Sequence, residues 1–327
     1  MKLHIVSETW PIAGDFRIAR GTKREAATVL VTVEANGARG RGECVPYARY
    51  GETVQSVTDD LRGMAQSLKN GMTREDLQSE MQAGAARNAL DCALIDWEAK
   101  STHTPAHVLL GLPEPAPMRS TFTLSLDAPE AMAEAARAAV LRGHTLLKLK
   151  IAGEGDLERV RFVREAAPGV QLIADANEGW SFRDLQQLTP ELARLGVALL
   201  EQPLAEADEA ALDDFKSPLP FCADESCHTR ADLPRLVSRY SHINIKLDKT
   251  GGLTEAVLLA REAQSLGLRL MVGCMVATSL SMAPAALLGP LCDYVDLDGP
   301  LLLSRDRVPG LKYEADQVYP ATPELWG

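Results

Sequence analysis

The chain has no apolar run near the roughly 20 residues of a membrane span, no CxxC pair and no low-complexity segment. Its six cysteines (Cys44, Cys92, Cys222, Cys227, Cys274 and Cys292) follow no regular framework. They read as free thiols of a reducing compartment. Basic residues are in deficit, 34 against 45 acidic, and the net charge of −11 disfavours a non-specific binder of nucleic acid or anionic membrane. The six histidines are scattered. His103-Thr104-Pro105-Ala106-His107 lacks the glutamate and unbroken helix of a zincin motif, so the histidines read as structural. The opening MKLHIVSETWP carries Glu8 and Pro11 where a signal peptide needs an apolar stretch, and the expected location is cytoplasmic. Oligomeric state is left open, a homo-oligomer included.

What is present is a chain of 327 residues, 46% hydrophobic, long enough for one large barrel or two ordinary domains. Residues 1–118 have an α+β texture. Strands are predicted at 2–9 and 27–36, the latter closing on a turn at Asn36-Gly37, with helices near 53–69, 74–82 and 84–100. Pro113, Pro115 and Pro117 mark a boundary. From 119 to 299, short apolar runs alternate with helical patterns, the signature of parallel βαβ units. Eight strands are predicted, at 120–126, 145–151, 170–176, 197–202, 219–224, 242–248, 268–274 and 291–298, with seven helices between them. Eight parallel strands close a barrel, here (β/α)7β with an N-terminal α+β capping domain. The tail 300–327 is expected to rejoin that domain, through 311–316.

Charges occupy positions where a barrel strand is ordinarily apolar. In Leu146-Leu147-Lys148-Leu149-Lys150-Ile151, alternation turns the leucines toward the helices and both lysines into the barrel mouth. In the sixth strand Asn244, Lys246 and Asp248 face in by the same rule, and Lys249, out of phase, is expected to face helices or solvent. Strands three, four and five end in Asp175, Glu201 and Asp224, and strand eight ends in Asp296-Leu-Asp298. A lone aspartate at a strand end is ordinarily a cap or turn residue. Six strands delivering charge to the C-terminal mouth, where barrel active sites lie, point to function instead.

Asp175, Glu201 and Asp224 come from adjacent strands about 4.8 Å apart. Three hard-oxygen ligands suit Mg2+, or Mn2+. Strands two and six are diametrically opposed, so Lys150 and Lys246 bracket a bound substrate and suit removal and return of a proton on opposite faces of one carbon. The α-proton of a carboxylate is weakly acidic, so the enediolate formed on its removal needs electrostatic stabilisation, which a divalent cation supplies. A lysine base needs its pKa lowered toward neutrality, which the neighbouring Lys148 and the cation favour. Lys148 is expected to stay protonated and hold the substrate carboxylate. Asp296 and Asp298, far from the metal ligands, would attract a cation such as a substrate ammonium group.

Lys148-Leu-Lys150, Asp175-Ala-Asn177, Glu201-Gln-Pro203, Ala223-Asp224-Glu225-Ser226 and Lys246-Leu-Asp-Lys-Thr-Gly-Gly252 together resemble the enolase superfamily, muconate-lactonizing subgroup. With Asp296-Leu-Asp298 the chain is similar to the dipeptide epimerases of that subgroup. The likeness extends to Gly84-Ala-Ala-Arg-Asn-Ala-Leu-Asp-Cys-Ala-Leu94 and Tyr50-Gly-Glu52. The resemblance implies interconversion of L-Ala-D-Glu and L-Ala-L-Glu in the recovery of murein peptides. It also implies that the dipeptide's C-terminal carboxylate meets Mg2+ and that the aspartate pair takes its ammonium end. Capping-domain loops would meet the side chain, with Arg20 the candidate for the glutamate carboxylate ahead of Arg24 and Arg49. Thr123, ending the first barrel strand, is a further candidate substrate contact. Rival readings are o-succinylbenzoate synthesis or muconate cycloisomerisation, a Schiff-base lysine aldolase, and a non-catalytic descendant.

Overall fold

The structure, a computed structural model, describes residues 1–327. It begins with β1 (Lys2–Ile18), β2 (Gly21–Ala35) and β3 (Ala38–Cys44), an antiparallel meander. Asn36 and Gly37 have φ of 53° and 76°, the doubly positive pair of a tight hairpin. The hairpin of β1 and β2 runs well beyond the predicted strands, because a register shift between Pro11 and Phe16 absorbs the irregular Pro-Ile-Ala-Gly stretch. β3 was not expected from its sequence, Ala-Arg-Gly-Arg-Gly-Glu-Cys. Its glycines are explained by contact with a helix: a Cβ on Gly40 or Gly42 would lie 2.1 Å from the carbonyl oxygen of Ala93 or Ala89.

The helices α1 (Val54–Gly63), α2 (Ala65–Lys69), α3 (Arg74–Glu80), α4 (Ala85–Thr102) and α5 (Ala106–Leu109) follow. Sequence periodicity predicts one helix over 53–69; Met64, between Gly63 and Ala65, separates two. Helix α4 is buried almost all round. One side packs on β2 and β3, and the other meets the barrel at residues 248–254.

After a short β4 (Met118–Arg119), eight parallel strands follow: β5 (Phe122–Leu124), β6 (Leu146–Lys150), β7 (Gln171–Asp175), β8 (Val197–Glu201), β9 (Phe221–Ala223), β10 (His242–Ile245), β11 (Arg269–Val272) and β12 (Tyr294–Val295). They pair in strict sequence order. The edges meet where Thr121 N donates to the Val295 carbonyl at 2.8 Å and Leu297 N to Ser120 Oγ at 3.1 Å, so the sheet curls into the expected (β/α)7β barrel.

The seven crossovers are unequal. Full helices α6 (Pro129–Leu141), α7 (Asp156–Ala166) and α8 (Phe182–Arg194) occupy the first three. The fourth is 3-10 helix over Glu206–Leu212, and the fifth holds only a second 3-10 turn and α9 (Leu233–Leu236). The sixth contains α10 (Leu247–Thr250) and α11 (Leu253–Ser265), and the seventh α12 (Ser279–Ala286). The fifth carries Pro234 directly after Leu233, which favours a helix start but leaves only four residues of α-helix there.

The tail does not rejoin the N-terminal elements through 311–316. Residues 313–314 (β13) and 317–318 (β14) pair with each other, and β14 pairs with β4 beneath the barrel. Contact with the N-terminal part is made at 303–307, where Ser304 N donates to the Pro11 carbonyl and Arg307 pairs with Glu8 and Glu43. It is made again at the end, where Trp326 Nε1 donates to the Cys92 carbonyl at 3.1 Å. No helix is long and apolar enough to cross a membrane.

Candidate active site and metal centre

Strand alternation builds the site in layers. Leu146, Ile173, Leu199, Cys222 and Met271 point inward and pack with Tyr294 as an apolar floor. Two residues further along the same strands stand Lys148, Asp175, Glu201, Asp224, Gly273 and Asp296. The outward set Leu147, Leu149, Ile151, Ile243, Ile245 and Leu247 joins the main core against the helices. The same period therefore produces both the seal beneath the site and the charges above it.

Lys148 is 1% exposed, and its Nζ lies 2.7 Å from Glu201 Oε2, 2.8 Å from Asp296 Oδ2 and 3.1 Å from Asp175 Oδ2. Burial opposes its charge, but Asp175, Asp296 and Glu201 overcome that and hold the ammonium well above the usual lysine range. Lys150 Nζ lies 2.5 Å from Asp175 Oδ2, and Lys246 Nζ lies 2.6 Å from Asp224 Oδ2. Each thus flanks the acidic group from its own side of the ring. Burial also opposes the Lys246 charge, and Asp224, with Glu201 and Glu225, keeps that ammonium above its ordinary range, contrary to the lowered value expected of a base. A neutral Lys246 amine requires Asp224 to be engaged elsewhere.

The ligand atoms of Asp175, Glu201 and Asp224 lie within 4.8 Å of one another, and all three residues are buried. Glu201 is pushed up to about 8 by burial and by Asp175, and its Oε2, though beside Lys148, accepts no hydrogen bond. A buried carboxylate in that condition gains from a cation, and an all-oxygen set suits Mg2+ or Mn2+. The residues fit such an ion.

Asp296 and Asp298 differ from each other. Asp296 is bonded to Lys148 and to the Thr121 hydroxyl, which ties it to the acidic group while it also lines the cavity above. Asp298 accepts from Thr123 N at 2.6 Å, and burial together with Asp296 raises it to about 7.

Above these groups is a cavity of about 300 Å³. Thr123, Lys148, Lys150, Asp224, Lys246, Asp296 and Asp298 form its base, and Phe16, Ile18, Arg20, Tyr47 and Tyr50 its roof. Asp175 and Glu201, each 0% exposed, lie beneath. Arg20 is held at the rim by Glu225 (2.7 Å), the Asn177 carbonyl (2.8 Å) and Glu178 (3.2 Å). Arg24 points to solvent with Asp15, and Arg49 pairs with Glu178.

Two sequence expectations fail around β10. Lys249 is not turned to helices or solvent: it is 1% exposed, with Nζ 2.6 Å from Asp224 Oδ1. Asp248 does not face the barrel mouth: its Oδ1 accepts from Asn88 Nδ2 at 2.8 Å and Val45 N at 3.1 Å, both from the N-terminal elements. The cause is the same in both cases. The strand ends at Ile245 and a helical turn begins at Leu247, so the period changes from 2 to 3.6 and Lys249 follows Lys246 by one turn. Asn244 was expected inward, but its donation to Glu201 Oε1 (2.8 Å) was not anticipated. Nor was the role of Gln202, whose Oε1 accepts from Asp224 N (2.8 Å) and Ser226 Oγ (3.0 Å) and so fixes the neighbouring strand end.

A curled parallel sheet with a carboxylate triad between facing lysines defines an enolase-type enzyme. The chain belongs to the mandelate racemase / muconate lactonizing enzyme family: residues 1–111 match that family's N-terminal domain, and residues 131–321 match the enolase C-terminal domain-like family. It is 45% identical to the L-Ala-D/L-Glu epimerase of Escherichia coli, over 96% of this chain and 98% of that one. It is 44% identical to an N-acetyl-D-glutamate racemase of a Pseudoalteromonas species, over 91% and 95%. Among solved structures, an enolase family member from Agrobacterium tumefaciens with homology to dipeptide epimerases, holding sodium and L-Ala-L-Glu, superimposes with TM-score 0.96 at 48% identity, covering 99% of each chain. A dipeptide epimerase from Enterococcus faecalis complexed with Mg and L-Leu-L-Tyr gives 0.91 at 28% identity, over 98% of this chain and 96% of that one.

Proposed function

We propose that the chain is an isomerase that inverts the α-carbon of the glutamyl residue in L-Ala-D-Glu, giving L-Ala-L-Glu by a two-base proton transfer, in the recovery of murein peptides within the cytoplasm. The observation that carries this reading is the placement of Lys150 and Lys246 on opposite sides of one carboxylate triad and one cavity. One amine takes the α-proton and the other ammonium returns a proton from the opposite face. A divalent cation bound by Asp175, Glu201 and Asp224 supplies Lewis-acid stabilisation of the charge that develops on the substrate carboxylate. Lys148, held charged, adds a second positive centre beside it. Thr123 orients Asp298 through its amide, and Arg20 at the rim offers a guanidinium to the glutamate side chain. The roof formed by Phe16, Tyr47 and Tyr50 keeps bulk water from the carbanionic carbon.

Racemisation of N-acetylglutamate is the second reading, favoured by the similarity to the Pseudoalteromonas racemase. The aspartates weigh against it, because an acetamide brings no cation to Asp298. The test is a proton NMR assay of L-Ala-D-Glu and N-acetyl-D-glutamate side by side, with Mg2+ and with EDTA. Cation-dependent turnover of the dipeptide, with kcat/KM at least tenfold above that for the acetylated amino acid, is expected. The reverse preference replaces the proposal with the second reading.

A further inference from the structure

The three acidic groups of the metal centre share a pattern. Each has one oxygen taken by a protein donor and the other turned toward the lysines. Asp175 Oδ1 accepts from Asn177 N at 2.9 Å, and Glu201 Oε1 from Asn244 Nδ2 at 2.8 Å. Asp224 Oδ1 accepts from Lys249 Nζ at 2.6 Å. The opposite oxygens, Asp175 Oδ2, Glu201 Oε2 and Asp224 Oδ2, are those approached by Lys148, Lys150 and Lys246.

Lys249 is the charged member of the capping set, and it is fixed. It is among the largest fully buried side chains and does not line the cavity. Its three N–H groups are matched by Asp224 Oδ1, the Asp224 carbonyl and the Asn244 carbonyl at 3.0 Å. The turn that carries it is clamped by α4: Arg87 donates to the Thr250 carbonyl (2.7 Å) and the Gly251 carbonyl (3.0 Å), and Thr254 N donates to Asp91 (2.9 Å). At Gly252, φ is 114° and a Cβ would lie 2.5 Å from Asp91, so helix and turn are in direct contact. Lys246 grips the other oxygen of the same carboxylate but lines the cavity, where it has room to swing. Of the two lysines on Asp224, one is free to exchange its partner and one is not.

We propose that Lys249, with Asn244, is a positioning residue that confines its carboxylate to one-oxygen ligation and so makes the centre prefer Mg2+ over Ca2+. The proposal rests on the metal reading above. Mg2+ demands a near-octahedral shell at 2.0–2.1 Å and takes one oxygen per carboxylate, whereas Ca2+ accepts six to eight oxygens and readily takes both oxygens of one group. A donor locked onto Oδ1 removes the second bite that Ca2+ would use and costs Mg2+ nothing.

The test is isothermal titration of the wild type, Lys249→Met and Asn244→Ala with MgCl2 and with CaCl2. Methionine fills the lysine's space and frees Oδ1. The ratio of the two dissociation constants is expected to move at least tenfold toward Ca2+ in Lys249→Met, and in the same direction by less in Asn244→Ala. The ratio cancels the general gain in cation affinity caused by deleting a positive charge. Equal changes for both cations overturn the capping role while leaving the metal reading intact; failure of the wild type to bind either cation overturns both. Should Lys249→Met not fold, Asn244→Ala and a crystal structure of the Mg2+-loaded wild type still decide. Each carboxylate binding through one oxygen, with Lys249 still on Asp224 Oδ1, supports the proposal, and two-oxygen binding by Asp224 refutes it.

Discussion

Replacing Lys148 with methionine isolates its charge, because the two side chains are close in volume. The ammonium is 1% exposed and lies within 3.1 Å of three buried carboxylates. Removing one partner of a buried ion pair costs about 3–5 kcal/mol, because the remaining charge is left uncompensated. At about 2 °C per kcal/mol for a large domain, this is a fall in Tm of about 6–10 °C. The sign of the pH dependence follows from Asp175 and Asp296. Burial opposes their ionised forms, but Lys148, joined by Lys150 at Asp175 and by the Thr121 hydroxyl at Asp296, outweighs it and keeps both below the ordinary carboxylate range. A depressed carboxylate contributes stability above its unfolded pKa and loses it as pH falls through the folded value. Without Lys148 these groups take up protons more readily, so the deficit is largest at pH 8 and shrinks toward pH 5. Mg2+ is expected to raise the Tm of Lys148→Met more than that of the wild type, since a cation replaces the missing charge. Scanning calorimetry with EDTA and with Mg2+ at both pH values measures all of this. A Tm within 1 °C of wild type in EDTA at pH 8, or an Mg2+ response smaller than that of the wild type, refutes the reasoning.

Asp298, raised to about 7 by burial and Asp296, attracts a substrate ammonium only when ionised, so kcat/KM for the dipeptide should fall as pH drops below about 7. Asp298→Asn should remove that limb and raise KM about tenfold or more with little change in Mg2+ affinity; an unchanged pH profile counts against the ammonium role. His242 lies buried beside the apolar floor with Nε2 unpartnered, and burial, then Arg269, depresses it to about 4. An unfolded chain takes up that proton near pH 6.5, so stability should decline by roughly 2–3 kcal/mol between pH 6.5 and 4. His242→Gln should flatten that part of urea-denaturation curves, and an unaltered acid dependence would show another group responsible.

The barrel and its mouth were legible in sequence because one period governs them. Leu146-Leu-Lys148-Leu-Lys150 states which residues meet helices and which meet substrate, and the strand-end acids follow the same rule. Legibility failed where the period changed, at Ile245, and Lys249 and Asp248 were misassigned there together. It failed in β3, where Gly40 and Gly42 answer to α4 rather than to strand propensity. The capping bonds from Asn244 and Lys249 were also beyond reach, since each joins the end of one strand to a residue of another element of the ring.

Deuterium exchange at the glutamyl α-carbon in D2O with Mg2+ tests the two-base arrangement most directly, when run on each dipeptide diastereomer with Lys150→Ala and Lys246→Ala. Both variants should lose epimerisation, and each should retain exchange with a different diastereomer, the one whose proton faces the surviving lysine. Near wild-type epimerisation by either variant, or loss of exchange from the same diastereomer in both, would contradict the assignment of one lysine to each face.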